Sequence, residues 1–343
     1  MQAFVSEWRC PSNIALVKYW GKKPGQLPGN PSISFTLSSA YSQTRLEAYQ
    51  HQNAGIEFYL DHQRETRFEA KIHDFFKSLD EELPGLKQFY FKIYSHNSFP
   101  HSAGIASSAS AMGALALCLS EFEEYFTKQK TPELFNRASY LGRLASGSAS
   151  RSLIPRMALW GKHPEVVQSS DQYAMEVNGI DPRMHRFYDY ILIIDSQPKA
   201  VSSSAGHKLM EKHIYADRRY HQANENITRL LAAMKQYDLE QFIEIVEEEA
   251  MTLHALMMCS RPGFLLMHPN TLQVIQSIRE FRKNSGIPVA FTLDAGPNVH
   301  VLFPEEYLPQ VETLVDQELI QYCENGRFIR DRVGMGPQKI SDL

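Results

Sequence analysis

The feature of this sequence that most constrains its fold is a run of small residues that leads directly into a long apolar segment. Residues 100–110 read PHSAGIASSAS, and residues 111–126 read AMGALALCLSEFEEYF. Glycine and serine favour turns and helix starts, whereas alanine, leucine and methionine are strong helix formers. A β-strand is predicted just before the run, at residues 89–95. The pattern predicts a strand, a tight loop and a buried helix, in that order.

This loop is suited to bind a polyphosphate. Gly104 and the small side chains around it let the backbone approach an anion closely. The first N–H groups of the following helix have no intrahelical partner, and the helix dipole adds attraction for negative charge. The hydroxyls of Ser107 and Ser108 are further ligands for phosphate oxygen or Mg²⁺. An ordinary serine-rich helix start is the alternative, and the loop is not a Walker A motif because no Gly-Lys-Ser/Thr follows.

The composition is that of a globular protein of two domains. Of 343 residues, 43% are hydrophobic and 22% are charged, and the net charge of -4 argues against a nucleic-acid-binding protein. The N-terminal segment has no apolar signal core, and no apolar stretch is long enough to span a bilayer. We therefore expect a soluble cytoplasmic protein without a nucleic-acid or membrane partner. The four cysteines form no CxxC motif and are expected to be reduced, and the 13 histidines lack the spacing of a zinc site.

The first half of the chain reads as strands followed by helices. Alternating or apolar patterns predict strands at residues 13–20, 32–37 and 44–49. Helices are predicted at residues 67–79 and after Thr131, which would serve as an N-cap with Pro132 in the first turn. A second stretch of small residues, SGSAS, then precedes Arg151.

A change of composition near residues 180–190 predicts the boundary between domains 1–185 and 186–343. Three long helices follow, with predicted capping pairs Asp238/Gln241 and Asn270/Gln273 and with Gly286 ending the third helix. Two strands flank the turn DAGPN. The acidic residues 247–249 are expected to lie on a solvated helix face. The mixture predicts two α+β domains.

Four segments carry a family resemblance. The loop spacing Pro-x3-Gly-x2-Ser-Ser-Ala resembles the phosphate loop of the GHMP family of small-molecule kinases. Within that family, the segments NIALVKYWGKK (13–23), SGSASRS (146–152) and FTLDAGPN (291–298) resemble the diphosphomevalonate decarboxylases. Ala106 stands where the kinases more often have glycine, and the decarboxylases share the alanine. The segments occur in the family's order across nearly the whole chain.

The resemblance implies an N-terminal ribosomal-S5-like domain and a C-terminal ferredoxin-like domain, with the active site in the cleft between them. It implies ATP and Mg²⁺ as cofactors and, more weakly, a homodimer. The implied reaction begins when ATP phosphorylates the tertiary 3-hydroxyl of 5-diphosphomevalonate. The 3-phosphate then leaves, carbon dioxide is lost and isopentenyl diphosphate remains.

The resemblance also implies residue roles. Asp294 would orient and deprotonate the 3-hydroxyl, Lys18 would lie near the phosphoryl path, and Arg151 would grip the departing carboxylate. The expected substrate-binding residues are Asn13, Tyr19, Lys22, Ser146, Ser148 and Ser203. The expected ATP-binding residues are Gly104, Ala106, Ser107, Ser108 and Ala109, with Ser108 also a Mg²⁺ ligand.

Physical chemistry supports these roles but leaves alternatives open. A carboxylate at the end of an apolar strand can face a cleft, although Asp294 could instead bond its own turn. A guanidinium is the best side chain for holding a carboxylate, although Arg151 could form a surface ion pair. A lysine in an apolar strand needs an anionic partner if it points inward, but Lys18 could face solvent. Ser146 and Ser148 could simply cap a helix.

Two departures from the family pattern stand out. Ser204 occupies a position where family members commonly have an arginine that holds the diphosphate, and Lys199, His207 and Lys208 are candidates to replace it. Arg156 lies where a glycine-containing turn is more usual, and it is either an added anion contact or a surface charge.

Three other functions therefore remain open. The first is the same chemistry on 5-phosphomevalonate, which the loss of the arginine at Ser204 motivates. The second is a kinase that phosphorylates the 3-hydroxyl and stops. The third is an inactive nucleotide sensor or scaffold on the same fold, which the presence of Asp294 argues against.

Overall fold

The computed structural model describes residues 2–50, 54–99, 107–197 and 201–340. Within these residues the first half of the chain forms strands and helices with these bounds: β1 (Gln2–Val17), β2 (Lys22–Lys23), β3 (Leu27–Pro28), β4 (Ser32–Gln50), β5 (Gly55–Leu60), β6 (Gln63–Arg64), α1 (Thr66–Ser78), β7 (Phe89–Asn97), α2 (Ser107–Thr127), α3 (Leu134–Ala145), α4 (Ala149–Ser152), β8 (Met157–Trp160) and β9 (Met175–Glu176).

The second half is richer in helices. Its elements are β10 (Phe187–Leu192), α5 (Ser203–Leu209), α6 (Ala216–Gln236), α7 (Leu239–Cys259), α8 (Pro269–Ser285), β11 (Ala290–Leu293), β12 (Val299–Pro304), α9 (Leu308–Leu314), β13 (Phe328–Arg332) and β14 (Gln338–Lys339).

The strands form two main sheets and one short hairpin. The first sheet has the order β14-β1-β4-β7-β5-β6, with β8 paired to β4 and β9 paired to β8, and only the β5–β7 pair is parallel. The second sheet, β11-β12-β10-β13, is antiparallel throughout, and β2 pairs with β3. The last strand returns to the first sheet, where Lys339 pairs with Trp8. This mixed arrangement confirms the predicted α+β class.

Strand β4 is continuous, whereas the sequence predicts two separate strands within it. A register shift opposite Pro11 and Asn13 lets the segment 38–40 bulge out of the ladder. The carboxylate of Asp331, on β13, accepts the N–H groups of Ser38 and Ser39 at 2.8 Å and that of Ala40 at 2.7 Å. A buried side chain of the second sheet therefore satisfies the bulge and ties the two sheets together.

The halves share part of their hydrophobic core. One cluster lies inside the first half, where α1, α2 and α3 cover the sheet, and another lies between the second sheet and α8 and α9. A third cluster joins Ile14 and Phe35 of the first sheet to Ile227 on α6 and Phe242 on α7. The two halves are therefore held together by a shared hydrophobic core. The division at residue 185 stays a prediction.

The helix-start predictions gave mixed results. Asp238 accepts the N–H of Gln241 at 3.0 Å, as predicted. The predicted cap at Thr131 is wrong because α3 begins three residues later, after Glu133, whose side chain makes no capping bond.

The start of α8 also differs from the prediction. The predicted pair Asn270/Gln273 is not the cap, because His268 and Thr271 form a capping box instead. Gly286 ends the helix with a φ of 72°, as predicted. A histidine ring nitrogen can accept an N–H as a serine oxygen does, which a search for serine, threonine, aspartate and asparagine overlooks.

The four cysteines are free thiols, as expected. Among the described residues, no helix combines the length and the apolar character needed to cross a membrane.

Candidate active site

A cleft between the two halves of the chain collects most of the predicted site residues. The cavity volume of this cleft is about 150 Å³. The predicted residues that line it are Asn13, Lys18, Tyr19, Lys22, Ser108, Ser146, Ser148, Arg151, Ser203 and Asp294. Of the other predicted residues, Ser107 and Ala109 do not line this cleft. Gly104 and Ala106 lie outside the described residues.

Lys18 lies just past the end of β1 and points inward. Its side chain is 2% exposed, so the solvent-facing alternative is wrong. Its Nζ donates to the carbonyl of Ala15 at 2.6 Å and to Oδ1 of Asp294 at 3.2 Å. Burial lowers the pKa of Lys18, while the negative charges of Asp294 and Glu249 oppose that shift. The ammonium therefore depends on its anionic neighbours.

Asp294 follows the apolar strand β11 directly, in a turn of small residues. Its side chain is 28% exposed, so the carboxylate reaches the cleft as well as Lys18. Its backbone carbonyl accepts the N–H of Gly296 at 2.7 Å and lies 3.1 Å from Nε2 of His254, which donates to it. The backbone of Asp294 is thus held while its side chain faces the open space.

Arg151 lies on the short helix α4 and is only 3% exposed, so the surface-ion-pair alternative is wrong. Its Nε donates to Oδ1 of Asn13 at 3.2 Å, and its Nη1 donates to the hydroxyl of Ser32 at 2.6 Å. Burial lowers the pKa of Arg151 to about 10. Within the described part of the chain, no carboxylate lies within 4.0 Å of this guanidinium. A buried cation without an anion of its own is suited to bind one from a ligand.

Asn13 keeps that arginine in place. Its Nδ2 donates to the carbonyl of Ser148 at 3.1 Å and to the hydroxyl of Ser152 at 2.8 Å, while its Oδ1 accepts from Arg151. The amide is therefore fixed at both ends, and the guanidinium plane is fixed with it.

The second stretch of small residues forms a wall of the cleft. Gly147 is required there because a Cβ at this position would lie 2.7 Å from Oη of Tyr19 and 2.9 Å from the ring of Trp160. The Tyr19 hydroxyl is buried and has no hydrogen-bond partner among the described residues, and burial raises its pKa. Ser146 and Ser148 flank the glycine and line the same cleft.

Lys22 and His207 also line the cleft, and they differ in charge. Lys22 is half-buried there, its pKa is lowered by desolvation, and no described carboxylate lies within ion-pair distance. His207 is buried against the rings of Tyr19 and Trp20, with ring centroids 4.4 and 4.6 Å away. Burial and the charge of Lys22 lower its pKa to about 3, so the ring is neutral at physiological pH. Its Nδ1 accepts the N–H of Gly21 at 3.0 Å, which places the ring proton on Nε2.

These findings narrow the candidates for the missing arginine at Ser204. His207 lines the cleft but carries no positive charge, so it is a neutral donor at most. Lys208 is exposed and does not line the cleft, and Lys199 lies outside the described residues. Arg156 is not an added anion contact, because it pairs with Glu176 at 2.5 Å.

A second, more apolar cavity adjoins the first. Both cavities share Lys22, Ser108, Ser146 and Ser204 at their boundary, and Ser107 lines the second. Its remaining walls include the apolar side chains Phe58, Leu60, Phe68, Ile72, Phe75 and Ile93. The first turn of α2, which contains Ser107 and Ser108, therefore lies where the two cavities meet.

Four residues behind the cleft were not predicted from the sequence: Arg219, Asn226, Glu249 and His254. Glu249 is fully buried and pairs with Arg219 at 2.6 Å, so the prediction of a solvated face at residues 247–249 is wrong. Glu247 is also buried, and it pairs with Arg282 at 2.6 Å. Acidic residues on a helix look alike in sequence whether a partner from another helix covers them or not.

The described residues contain no group of three His, Cys, Asp or Glu side chains that could hold a metal ion.

Family models match both halves of the chain. A model of the diphosphomevalonate decarboxylase-like N-terminal domain matches residues 10–174, and a model of the mevalonate 5-diphosphate decarboxylase C-terminal domain matches residues 190–339. Diphosphomevalonate decarboxylase of Ganoderma lucidum is 28% identical, covering 98% of this chain and 86% of its own length. That of Aspergillus fumigatus is 30% identical, covering 86% and 76%.

Solved structures agree with the sequence relatives. Mevalonate diphosphate decarboxylase from Staphylococcus aureus superposes with a TM-score of 0.86 at 28% identity, covering 99% of each chain. A structure described as MDDEF in complex with MVAPP, AMPPCP and magnesium superposes with a TM-score of 0.85 at 26% identity, covering 98% of this chain and 99% of that one. These likenesses confirm the predicted two-domain GHMP-kinase fold. Because the two family models together match most of its length, this chain belongs to the diphosphomevalonate decarboxylase family.

Proposed function

We propose that this protein catalyses the ATP-dependent decarboxylation of 5-diphosphomevalonate to isopentenyl diphosphate, in the mevalonate route to isoprenoids. The observation that carries the proposal is the buried guanidinium of Arg151, which has no described carboxylate partner and lines the same cleft as the Lys18–Asp294 pair. A substrate that brings its own carboxylate and a hydroxyl group would satisfy both features at once.

The first step is phosphoryl transfer to the tertiary 3-hydroxyl. Asp294 accepts the hydroxyl proton as the oxygen bonds to the γ-phosphorus of ATP, and ADP leaves with the electrons of the broken P–O bond. Phosphoryl transfer depends mostly on positioning and charge stabilisation, so the partly exposed carboxylate and the neighbouring ammonium suit it.

The second step is elimination with loss of carbon dioxide. The bond between C3 and its phosphate oxygen breaks, and phosphate leaves with that electron pair. The electrons of the bond to the carboxylate carbon then form the new carbon–carbon double bond. Arg151 holds the carboxylate in the orientation that this cleavage needs. The uncharged product, carbon dioxide, no longer binds a guanidinium.

The adjoining cavities give ATP a place to bind. We assign the apolar cavity to the adenine ring and the boundary at Ser107 and Ser108 to the phosphates, because a helix start binds anions and an apolar wall binds a flat ring. The similar structure MDDEF contains MVAPP, AMPPCP and magnesium, which supports this assignment. Mg²⁺ prefers phosphate oxygens, a few oxygen ligands and water, so the Ser108 hydroxyl fits it without a protein metal cage.

ADP release measured in parallel with mevalonate, its 5-phosphate and its 5-diphosphate tests the proposal. We expect the highest kcat/KM with the diphosphate. No turnover of any of the three substrates would refute the proposed function and favour an inactive nucleotide sensor.

The same assay tests a second candidate, which is the same reaction on 5-phosphomevalonate. The observation that favours it is the weak positive charge near Ser204, where family members commonly hold the diphosphate with an arginine. Ser204 stands in place of the arginine, His207 is neutral, and Lys22 is a lysine that lines the cleft with them. Equal or better use of the monophosphate would establish this candidate over the first.

The family resemblance further supports a homodimer in the cytoplasm. Light scattering of the purified protein at micromolar concentration tests the first point, with a mass near twice the 39.3 kDa of the chain expected. A mass near 39.3 kDa would refute it.

A further inference from the structure

We propose that helix α7 is the positioning element of the active site, and that Glu249, together with Arg219, holds Lys18 in place from behind. The inference rests on the proposed function, because it assigns to these residues the task of keeping Lys18 aligned with Asp294. Neither Glu249 nor Arg219 lines the cleft.

The backbone of Lys18 lies beyond the regular sheet. The ladder between β1 and β4 ends with the pair Val17 and Ile33, so the next peptide groups need other partners. The N–H of Lys18 donates to Oε2 of Glu249 at 2.8 Å. Its carbonyl accepts from Nη2 of Arg219 at 3.0 Å and from Nδ2 of Asn30 at 2.9 Å. Side chains of the second half thus bind both backbone polar groups of Lys18.

The ion pair that makes these contacts is itself fixed. Arg219, on α6, donates from Nη1 to Oε1 of Glu249 at 2.7 Å and from Nη2 to Oε2 at 2.6 Å. Asn226 on the same helix donates to Oε1 at 2.8 Å. The two charged side chains are 1% and 0% exposed, so water does not compete for these bonds. A bidentate pair in this setting has essentially one geometry.

Helix α7 also holds the other member of the catalytic pair. Five residues beyond Glu249, the ring of His254 donates from Nε2 to the backbone carbonyl of Asp294 at 3.1 Å. One rigid helix therefore contacts the backbones of Lys18 and Asp294, which come from different halves of the chain. The 3.2 Å separation between Nζ of Lys18 and Oδ1 of Asp294 is set by this shared support.

Glu249 also acts through its charge. Four charged groups surround Lys18: Asp294, Glu249, Arg151 and, at its backbone carbonyl, Arg219. The two acids favour the ammonium, and Arg151 opposes it. Removing the negative charge of Glu249 would lower the pKa of Lys18 further. A purely structural carboxylate on the same helix would not have this effect.

The test compares Glu249→Gln with the double variant Arg219→Met/Glu249→Leu and with the control Glu247→Gln. The double variant replaces the ion pair by apolar side chains of similar size, which is often tolerated for folding but cannot bond the backbone of Lys18. Glu247 is a buried acid on the same helix that pairs with Arg282 and Arg279 instead. All proteins are first checked for a cooperative unfolding transition.

Two readouts are measured. The first is kcat and its pH profile with saturating ATP. We expect both Glu249 variants to lose about 10- to 100-fold in kcat, the cost of misplacing a reacting group by about 1 Å. The KM for ATP stays within about twofold, since neither residue lines the ATP cavities. The second is the pKa of the Lys18 ammonium in the ligand-free protein, from NMR of ¹⁵N-lysine-labelled enzyme. It moves down in Glu249→Gln and stays unchanged in Glu247→Gln.

The outcomes separate this proposal from the proposed function. If the wild-type protein turns over none of the three mevalonate compounds, the proposed function fails, and the NMR titration alone decides the positioning role. Wild-type kcat in the folded double variant would overturn the positioning role while leaving the function intact. An equal loss of kcat in Glu247→Gln would also overturn it.

Discussion

Two ion pairs contact Lys18, one at the cleft and one behind it, and they differ in how much solvent reaches them. At the cleft, Lys18 and Asp294 are 3.2 Å apart, and the Asp294 side chain is 28% exposed. Behind the cleft, Arg219 and Glu249 are 2.6 Å apart, and neither side chain is more than 1% exposed. The first pair lines the cleft and is open to solvent, whereas the second pair is surrounded by protein.

The difference in exposure suits the Lys18–Asp294 pair to catalysis and the Arg219–Glu249 pair to structural support. In the rear pair, Arg219 and Glu249, the guanidinium donates two hydrogen bonds to the carboxylate. The carboxylate also accepts the N–H of Lys18, and the guanidinium also donates to the carbonyl of Lys18. In the front pair, the structure gives acceptors within the described residues to two of the three N–H bonds of Lys18. A buried charge that keeps unused hydrogen-bonding capacity lowers stability, and its benefit is realised when a ligand arrives. We therefore expect the front pair to control activity and the rear pair to control stability and geometry.

The largest effect is expected for Asp294→Asn. The amide keeps the size of the side chain but cannot accept a proton, so kcat should fall by about 10³- to 10⁴-fold. The free energy of unfolding should also fall, because the neutral amide leaves the buried Lys18 ammonium without one of its acidic neighbours. The loss should be smaller than the about 3–5 kcal/mol typical of breaking a fully buried pair, because the Asp294 side chain is 28% exposed. ADP release and urea denaturation measure the two effects.

Titration with a non-hydrolysable ATP analogue is the control, and its affinity should be nearly unchanged in this variant. Activity within tenfold of wild type would show that Asp294 is not the catalytic acid–base group.

The next effect is on stability, for Glu249→Leu alone. Removing one partner leaves the Arg219 guanidinium buried without its counter-charge, which typically costs about 3–5 kcal/mol. Urea unfolding measures the change. The matched control is Glu244→Leu on the same helix, where the exposed pair with Arg229 should contribute no more than about 1 kcal/mol. Equal losses of unfolding free energy in the two variants would show that burial does not make the Arg219–Glu249 pair more important for stability than the exposed pair.

Lys18→Met should show the reverse pattern. The apolar side chain fills the space of the lysine stem and removes a buried charge, so the free energy of unfolding should stay within about 1 kcal/mol of wild type or rise. The kcat should fall by about 10²-fold, because the transferring phosphoryl group loses its cation. Urea unfolding and ADP release measure the two effects. A loss of stability as large as that of Glu249→Leu would contradict the proposed difference between the two ion pairs.

The smallest effect concerns His207 and pH. Its pKa is about 3 in the folded protein against an ordinary value of 6.5, so the unfolded chain binds a proton that the folded one does not. Between these two pH values the stability contributed by the neutral ring is lost as pH falls, by about 1.4 kcal/mol per pH unit. Urea unfolding at pH 7.0 and 5.0 should show a smaller pH dependence for His207→Gln than for wild type. Equal dependence would mean that the ring is already protonated in the folded protein.

The sequence predicted most of the residues that line the cleft, but it did not predict the ion pair behind Lys18. Lys18, Arg151 and Asp294 lie in segments whose residue order is itself distinctive, so their meeting in one cleft was foreseeable. Glu249 and Arg219 carry no such signal, because their partnership spans 30 residues and two helices, and each looks like a surface charge. For the same reason β4 was predicted as two strands, since the bulge that joins them depends on Asp331, about 290 residues away.

The ratio of carbon dioxide to ADP released from 5-diphosphomevalonate, measured in one reaction with a carboxyl-labelled substrate, distinguishes a decarboxylase from a kinase. We expect one carbon dioxide for each ADP in the wild-type protein, because Arg151 and the Lys18–Asp294 pair line the same cleft. ADP release without carbon dioxide would contradict this expectation and would identify the protein as a 3-kinase.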